Sequence, residues 1–163
     1  MSVGHRVNSD HQLARLLQIG IVLEEVVEAR SYHHYQSLDE GSLDPEIESL
    51  LEHAAEESAD HRERLESLVD ELDAESIPFE EIETLVEAQY GGTDPEDFDD
   101  ILYDQLANEE TAYKFYDDLI GALRASEATF GIDRDRLIDV LVEIREEEAD
   151  GVEEVTKVMN DRQ

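Results

Sequence analysis

Apolar residues recur at helical spacing in four long segments of this 163-residue chain, and this pattern limits the fold more than any other feature. No segment alternates apolar and polar residues as a half-buried strand does. The apolar stripes predict helices over about residues 9–39, 45–73, 95–126 and 133–160. An all-α fold follows, in which each helix buries one face against the others.

Capping signals support the starts of these helices. Ser9 precedes the first stripe, and a serine or aspartate at that place accepts hydrogen bonds from free backbone N–H groups. Asp44-Pro45 and Asp94-Pro95 each combine a cap with a proline suited to the first helical turn. The second and third helices are therefore expected to begin at these pairs.

The connections between the stripes predict how the helices are joined. The links within the first and second pairs of helices are short, whereas residues 74–94 form a long connection that carries a small amphipathic piece. We therefore predict a single domain over residues 1–163, a four-helix bundle with one long crossover carrying a short helix. A coiled-coil dimer is the alternative.

Acidity excludes several classes of partner. The chain has 12 Lys and Arg against 45 Asp and Glu, giving a formal net charge of −33. A field of that sign repels nucleic acid and anionic membrane surfaces. Only Lys114 and Lys157 are lysines, and the composition resembles that of haloarchaeal proteins, whose carboxylates are adapted to concentrated salt. Most of the acidity is then expected to be solvent-facing.

The absence of certain residue types narrows the chemistry and the location. There is no cysteine, which excludes disulfides, thiolate zinc sites and iron–sulfur clusters. No stretch approaches the roughly 20 apolar residues of a membrane span, and the first ten residues lack the apolar core of a signal peptide. The expectation is a soluble cytoplasmic protein.

Four polar residues interrupt the apolar stripes, one in each helix: Glu28, His61, Glu109 and Glu148. Burying an ionised carboxylate without partners costs several kcal/mol, so these residues are expected to share a metal ion, share protons or pair with arginine. Arg145 lies within helical reach of Glu148 and is the candidate for a buried ion pair.

The two halves of the chain also repeat one another. Residues 28–35 correspond to residues 109–116, and in both segments a glutamate is followed seven positions later by a tyrosine. Residues 56–61 correspond to residues 146–151 in the following helices. Both matches keep the same order and phase, so the bundle is expected to consist of two related helix pairs.

These repeated segments resemble the ferritin-like superfamily, most closely its rubrerythrin-type domains, over almost the whole chain. The resemblance implies two iron ions held by a glutamate from the first helix of each half and a Glu-x-x-His from the second. In that scheme Glu28 and Glu109 match the terminal carboxylates. His61 matches the first-half histidine, and Glu148 matches the second-half bridging carboxylate.

Two positions depart from the family pattern. Ser58 stands where the family has the first-half bridging glutamate, and Gly151 stands where it has the second-half histidine. The remaining Glu28, His61 and Glu148 form a set of two carboxylates and one histidine that is known for non-haem iron. The ligand set is therefore more nearly complete for one metal ion than for two.

Two neighbouring glutamates are candidate substitutes for the missing ligands. Glu57 precedes Ser58 and lies four residues before His61, and Glu147 holds the corresponding place in the other half. Either would turn toward the core if a π-bulge locally changed the helix phase.

The predicted function is therefore metal binding in the bundle core, with one or two iron ions or a similar divalent metal. The resemblance implies a ferroxidase or peroxidase type of oxidoreductase that oxidises ferrous iron with oxygen or peroxide, in a homodimer or larger homo-oligomer. The alternative is a degenerate, metal-free bundle that acts as a structural or interaction module. Iron storage in a hollow shell is a third class.

Overall fold

The computed structural model describes residues 7–37, 45–72 and 98–161, with side chains for 7–29, 45–72 and 101–161. It contains α1 (Asp10–Ser37), α2 (Pro45–Glu71), α3 (Phe98–Ala125) and α4 (Arg134–Asp161), and no strand within those ranges. The predicted all-α four-helix bundle is confirmed, and the helix bounds differ from the predicted ones by no more than three residues. The predicted crossover at 74–94 and its short helix lie outside the described residues.

Side chains cap the starts of α1 and α4, at Ser9 as expected and at Asp133; the predicted caps at Asp44 and Asp94 lie outside the described residues. The backbone N–H of Gln12 donates to Ser9 Oγ at 3.2 Å, and the Gln12 side chain in turn accepts from the N–H of Asn8 at 2.7 Å. Asp133 Oδ1 accepts from the N–H of Asp135 at 2.9 Å at the start of α4. These bonds satisfy donors that the first turn of a helix leaves free.

The helices form two tightly packed pairs, α1 with α2 and α3 with α4, and contacts of α1 with α3 and of α2 with α4 close the bundle. The end of α2 at Leu72 packs in the same apolar cluster as Leu123 near the end of α3. The start of α3 therefore lies at the opposite end of the bundle from the end of α2. A connection that spans the bundle length is what a single crossover requires.

Among the described residues, the buried apolar side chains form two separate clusters. The larger one fills the end that contains the start of α1 and the ends of α2 and α3, and includes Leu17, Leu65 and Leu141. The smaller one fills the other end and includes Leu51, Leu102 and Val155. Each fully buried leucine contributes about 1.5–3 kcal/mol by leaving water.

A layer of buried polar residues lies between these clusters along the helices. We call this the central polar layer; its members are Glu24, Ser58, His61, Gln105, Glu109 and Glu148. Each helix contributes at least one of them.

Within the described part of the chain, no helix is both long enough and apolar enough to cross a membrane.

Candidate metal centre

Three of the four residues predicted from the sequence meet in the central polar layer. His61 is fully buried, and Glu109 and Glu148 are 5% and 3% exposed. They come from α2, α3 and α4. These residues occupy core positions in the apolar stripes, so the packing of the stripes against one another buries all three side chains in the bundle interior.

The fourth predicted residue, Glu28, does not lie in this layer. Its Oε2 accepts a hydrogen bond of 2.6 Å from Arg62 Nη1, and both side chains are about a third exposed. Glu28 therefore forms a partly solvated ion pair between α1 and α2.

Glu24, which was not among the residues predicted from the sequence, supplies the carboxylate from α1. The register of the antiparallel pair explains this: Gly20 lies against Leu65, so four residues further along α1 Glu24 comes level with His61. Glu24 is fully buried, and its Oε1 accepts a hydrogen bond of 2.6 Å from the Tyr116 hydroxyl. The sequence does indicate a core position for Glu24, because Glu24 continues the apolar stripe of Leu17 and Ile21 at helical spacing.

His61 is oriented by contacts on both sides of its ring. Nδ1 lies 3.1 Å from Glu148 Oε1 and 3.2 Å from Glu24 Oε1. Nε2 lies 2.6 Å from Glu147 Oε2, and Glu147 also accepts from Arg64 at 3.1 and 3.2 Å. Nδ1 thus faces the polar layer, and a partly exposed carboxylate fixes the opposite nitrogen. Such an outer partner is the usual means of orienting a metal-binding histidine.

Glu109 occupies the space beside Gly151, one of the two positions that depart from the family pattern. A Cβ built at Gly151 would lie 2.7 Å from Glu109 Oε2 and 2.9 Å from its Cδ. Gln105 Nε2 holds the same carboxylate through a hydrogen bond of 3.2 Å to Oε1. The missing side chain at 151 is therefore the reason that Glu109 can take this position.

The donor atoms fall into groups compact enough for metal ions. In one group, atoms of Glu24, His61 and Glu148 all lie within 4.8 Å of one another; in another, atoms of Glu57, Glu109 and Glu148 do. A third group, Asp60, His61 and Glu147, lies toward the surface. α2 is α-helical throughout residues 45–71, so Glu57 reaches its group without a π-bulge.

Burial and like charge shift the proton equilibria of the layer. Burial raises the pKa of Glu109 and Glu148, and the negative charge of Glu24 raises both further. Burial also raises the pKa of Glu57 to about 7. Burial alone lowers the pKa of His61, but hydrogen bonds and charge from Glu24 and the bond to Glu147 outweigh it, and the pKa is about 9. Such shifts are typical of functional sites.

No arginine whose side chain the structure describes pairs with the buried carboxylates of the layer. The arginines beside it in sequence bond to carboxylates outside it: Arg62 to Glu28, Arg64 to Asp60 and Glu147, and Arg145 to Asp117 and Glu146. The ion pair between Arg145 and Glu148 that the sequence suggested is therefore not formed.

Within the described part of the chain, one carboxylate oxygen of the layer has no N–H or hydroxyl donor within hydrogen-bond distance. Glu24 Oε2 is fully buried and unpaired, although Oε1 of the same group contacts Tyr116 and His61. An unsatisfied buried carboxylate oxygen costs about 1–3 kcal/mol or more. Hydrogen bonds within the protein thus leave room for one further positive partner, and a carboxylate and imidazole donor set suits a divalent metal.

Comparison with protein-family models, curated proteins and solved structures finds no match to this chain.

Proposed function

We propose that the central polar layer binds a divalent metal ion through Glu24, His61 and Glu148, with Glu109 beside them. In this proposal Glu24 takes the place predicted for Glu28 from the sequence. The unpaired Glu24 Oε2 is the observation that carries the proposal, because it is a buried acceptor that needs a positive partner. Nδ1 of His61 is the nitrogen available to the ion, since Nε2 faces Glu147.

Charge supports the same proposal. Glu24, Glu109 and Glu148 bring three carboxylates into a space where His61 is the sole basic side chain of the layer. Protons can neutralise two of them, and the raised pKa values of Glu109 and Glu148 agree with such a metal-free form. A divalent cation neutralises the same carboxylates and also satisfies the oxygen that the hydrogen bonds leave unpaired.

The surrounding residues would control such an ion. Tyr116 fixes Glu24, and Glu147 fixes His61 and, being 37% exposed, connects Nε2 to solvent for proton exchange. The two apolar clusters keep water out on both sides. We propose iron as the metal, as the ferritin-like resemblance implies; bound iron would supply redox chemistry toward oxygen or peroxide.

The alternative function is a metal-free bundle that serves as a structural or interaction module. In that case the layer is held by shared protons alone, with Glu148 and Glu109 protonated and His61 charged. In this form a protonated Glu148 is within hydrogen-bond reach of Glu24 and can donate to it, so the layer is held by bonds between carboxyl and carboxylate groups.

Metal retention distinguishes the two functions. The 163-residue chain, its Glu148→Gln variant and Glu154→Gln, an exposed control on the same helix, are loaded with ferrous iron without oxygen. They are then desalted in about 1 M KCl, where a Debye length of about 3 Å weakens binding at surface carboxylates. We expect the parent and the control to retain at least one iron per chain and Glu148→Gln to lose it. No retained iron in the parent, or equal retention in all three, would overturn the proposal.

We also propose that the acidic surface is an adaptation to concentrated salt in a cytoplasmic setting. The net charge of −33 and the near absence of lysine support this proposal. The dependence of the thermal unfolding midpoint on KCl concentration tests it.

A further inference from the structure

The outward side of α3 has an unusual surface for so acidic a chain. Five exposed residues lie along this side, away from the buried residues of the helix: Tyr103, Ala107, Glu110, Lys114 and Gly121. We call them the outer α3 face. Tyr103, at 61%, is the most exposed large hydrophobic side chain among the described residues. An exposed aromatic residue of this kind is typical of surfaces that bind another protein.

The charges of the outer α3 face balance, whereas the outward side of α4 is acidic. Glu110 and Lys114 lie one turn apart, and Lys114 is one of only two lysines in a chain with a net charge of −33. On α4 the exposed carboxylates are Asp139, Glu143, Glu146, Asp150, Glu153 and Glu154. Two copies of this chain repel one another where such acidic surfaces meet. A surface of balanced charge avoids that repulsion.

The residues of the outer α3 face are also spaced symmetrically. Tyr103 and Gly121 are 18 residues apart, which is five helical turns, so they lie at the same angle around α3 and about 27 Å apart. Glu110 follows Tyr103 by seven residues, and Lys114 precedes Gly121 by seven. Both pairs therefore have the same midpoint along the helix.

This symmetry matches the contact of two α3 helices that pack antiparallel about a two-fold axis at the midpoint. In such a contact the same surface of both copies is used, and each pairing occurs twice. Tyr103 of each copy then meets Gly121 of the other, and Glu110 of each copy meets Lys114 of the other. The arrangement that pairs the opposite charges is thus the one that pairs the tyrosine with the glycine.

Tyr103 and Gly121 are complementary in shape as well. No atom of the described residues lies within 4 Å of the position that a Cβ would take at Gly121, so the helix surface there is open and flat. A tyrosine ring from a second copy can cover it. Ala107 is also small, which lets two helices approach to the usual distance of about 8–10 Å.

We propose that the outer α3 face is a homodimer interface, in which α3 of one copy packs antiparallel on α3 of a second copy. The complementary charges of Glu110 and Lys114 under this two-fold arrangement carry the proposal. It assigns the surface of association, which an expected homo-oligomer leaves open, and it does not depend on the metal site. The face spans five turns of one helix, so the interface is small and the dimer reversible.

Sedimentation equilibrium at several protein concentrations tests this interface. We use about 0.5 M KCl, which screens the overall repulsion but leaves close charge pairs effective. The 163-residue chain is expected to show a monomer–dimer equilibrium. Lys114→Glu places like charges opposite one another twice and should weaken dimerisation by about tenfold or more. Lys157→Glu makes the same charge change at an exposed position of α4 and is the matched control, which should dimerise like the parent.

Two further variants test the pairing of residues. Combining Glu110→Lys with Lys114→Glu exchanges the two charges and should restore dimerisation. Gly121→Gln adds a long side chain where the Tyr103 ring is expected to lie, and should weaken dimerisation. The fold should tolerate this change, because glutamine has a higher helix propensity than glycine. Circular dichroism shows whether each variant remains folded.

Three results would overturn the proposal. One is a parent that remains monomeric at all concentrations. Another is equal dimerisation of Lys114→Glu and Lys157→Glu, because association would then use a different surface. The third is a charge-exchanged variant that dimerises no better than Lys114→Glu alone, since Glu110 and Lys114 would then not meet across the interface.

Discussion

The carboxylate of Glu109 on α3 lies directly against Gly151 on α4, so close that a Cβ at 151 would come within 2.7 Å of Glu109 Oε2. Glycine in the middle of a helix costs about 0.5–1 kcal/mol relative to alanine. A larger residue at 151 in α4 would avoid that cost, but its side chain would occupy the space that the Glu109 carboxylate of α3 fills.

A comparison of two helical glycines tests this relationship. No atom of the described residues lies within 4 Å of the position that a Cβ would take at Gly121 in α3, so Gly121→Ala is expected to stabilise the metal-free protein by about 0.5–1 kcal/mol. Gly151→Ala gains the same helix propensity but displaces Glu109 from Gln105, which costs about 1–3 kcal/mol. The free energy of unfolding measured in urea should therefore be lower for Gly151→Ala than for Gly121→Ala. Equal values would contradict the close contact between Glu109 and Gly151.

Tyr116 is expected to stabilise the layer through its hydroxyl. Tyr116→Phe removes the 2.6 Å bond to Glu24 Oε1 and leaves that buried carboxylate less satisfied. The expected loss in the free energy of unfolding is about 1–3 kcal/mol for the metal-free protein. Tyr113→Phe, at a 36% exposed position on the same helix, is the control and should change little. Thermal unfolding of the two variants gives the comparison, and similar midpoints would argue against the role of Tyr116.

The stability of the metal-free protein is expected to fall as the pH rises from about 4.5 to about 9. The pKa of Glu57 rises from 4.5 in its ordinary state to about 7 in the folded protein, and that of His61 rises from 6.5 to about 9. A raised pKa means that the folded state binds more protons than the unfolded state. The stabilisation is complete below the unfolded pKa and is lost as the pH passes the folded pKa.

Denaturant titrations at several pH values measure this dependence, in molar KCl so that surface charges contribute little. Replacing His61 with Gln should flatten the upper part of the profile, between about pH 6.5 and 9, because it removes the group that titrates there. Saturation with metal should also flatten the profile, since bound ligands carry no protons to lose. A metal-free protein that gains stability over this range would contradict the assigned shifts.

Salt is expected to stabilise the fold strongly. A formal charge of −33 on 163 residues produces repulsion that acts over a Debye length of about 10 Å at 0.1 M salt and only about 3 Å at 1 M. The midpoint of thermal unfolding should therefore rise steadily as KCl increases to molar concentrations. A midpoint independent of KCl would contradict the proposed adaptation to concentrated salt.

The helices could be predicted from the sequence because each carries its own periodic stripe and cap. His61, Glu109 and Glu148 could be predicted for the same reason, since a charged residue on a core stripe is visible within one helix. Choosing between Glu24 and Glu28 required more, because both lie on one face of α1, four residues apart. The contact of Gly20 with Leu65 reflects the register of α1 against α2. The apolar pattern of one helix alone does not specify how that helix is shifted along its neighbour.

The position of Glu57 was also beyond the reach of periodicity. A stripe assigns the core position to Ser58, whereas the side chain of Glu57 is long enough to enter from the flank of a regular helix. Similarly, the spacing of Arg145 and Glu148 along α4 suggested an ion pair. The Arg145 guanidinium instead donates to Asp117 on α3 and to Glu146. Side-chain length and contacts between helices decide both cases.

Anomalous diffraction from crystals soaked in Zn²⁺ tests the central claim most directly. The account predicts an anomalous peak enclosed by Glu24, His61 and Glu148, about 2.0–2.2 Å from His61 Nδ1 and the nearest carboxylate oxygens. The same soak of Glu148→Gln crystals should lack this peak. Peaks confined to surface carboxylates, with the central polar layer closed by hydrogen bonds alone, would contradict the account.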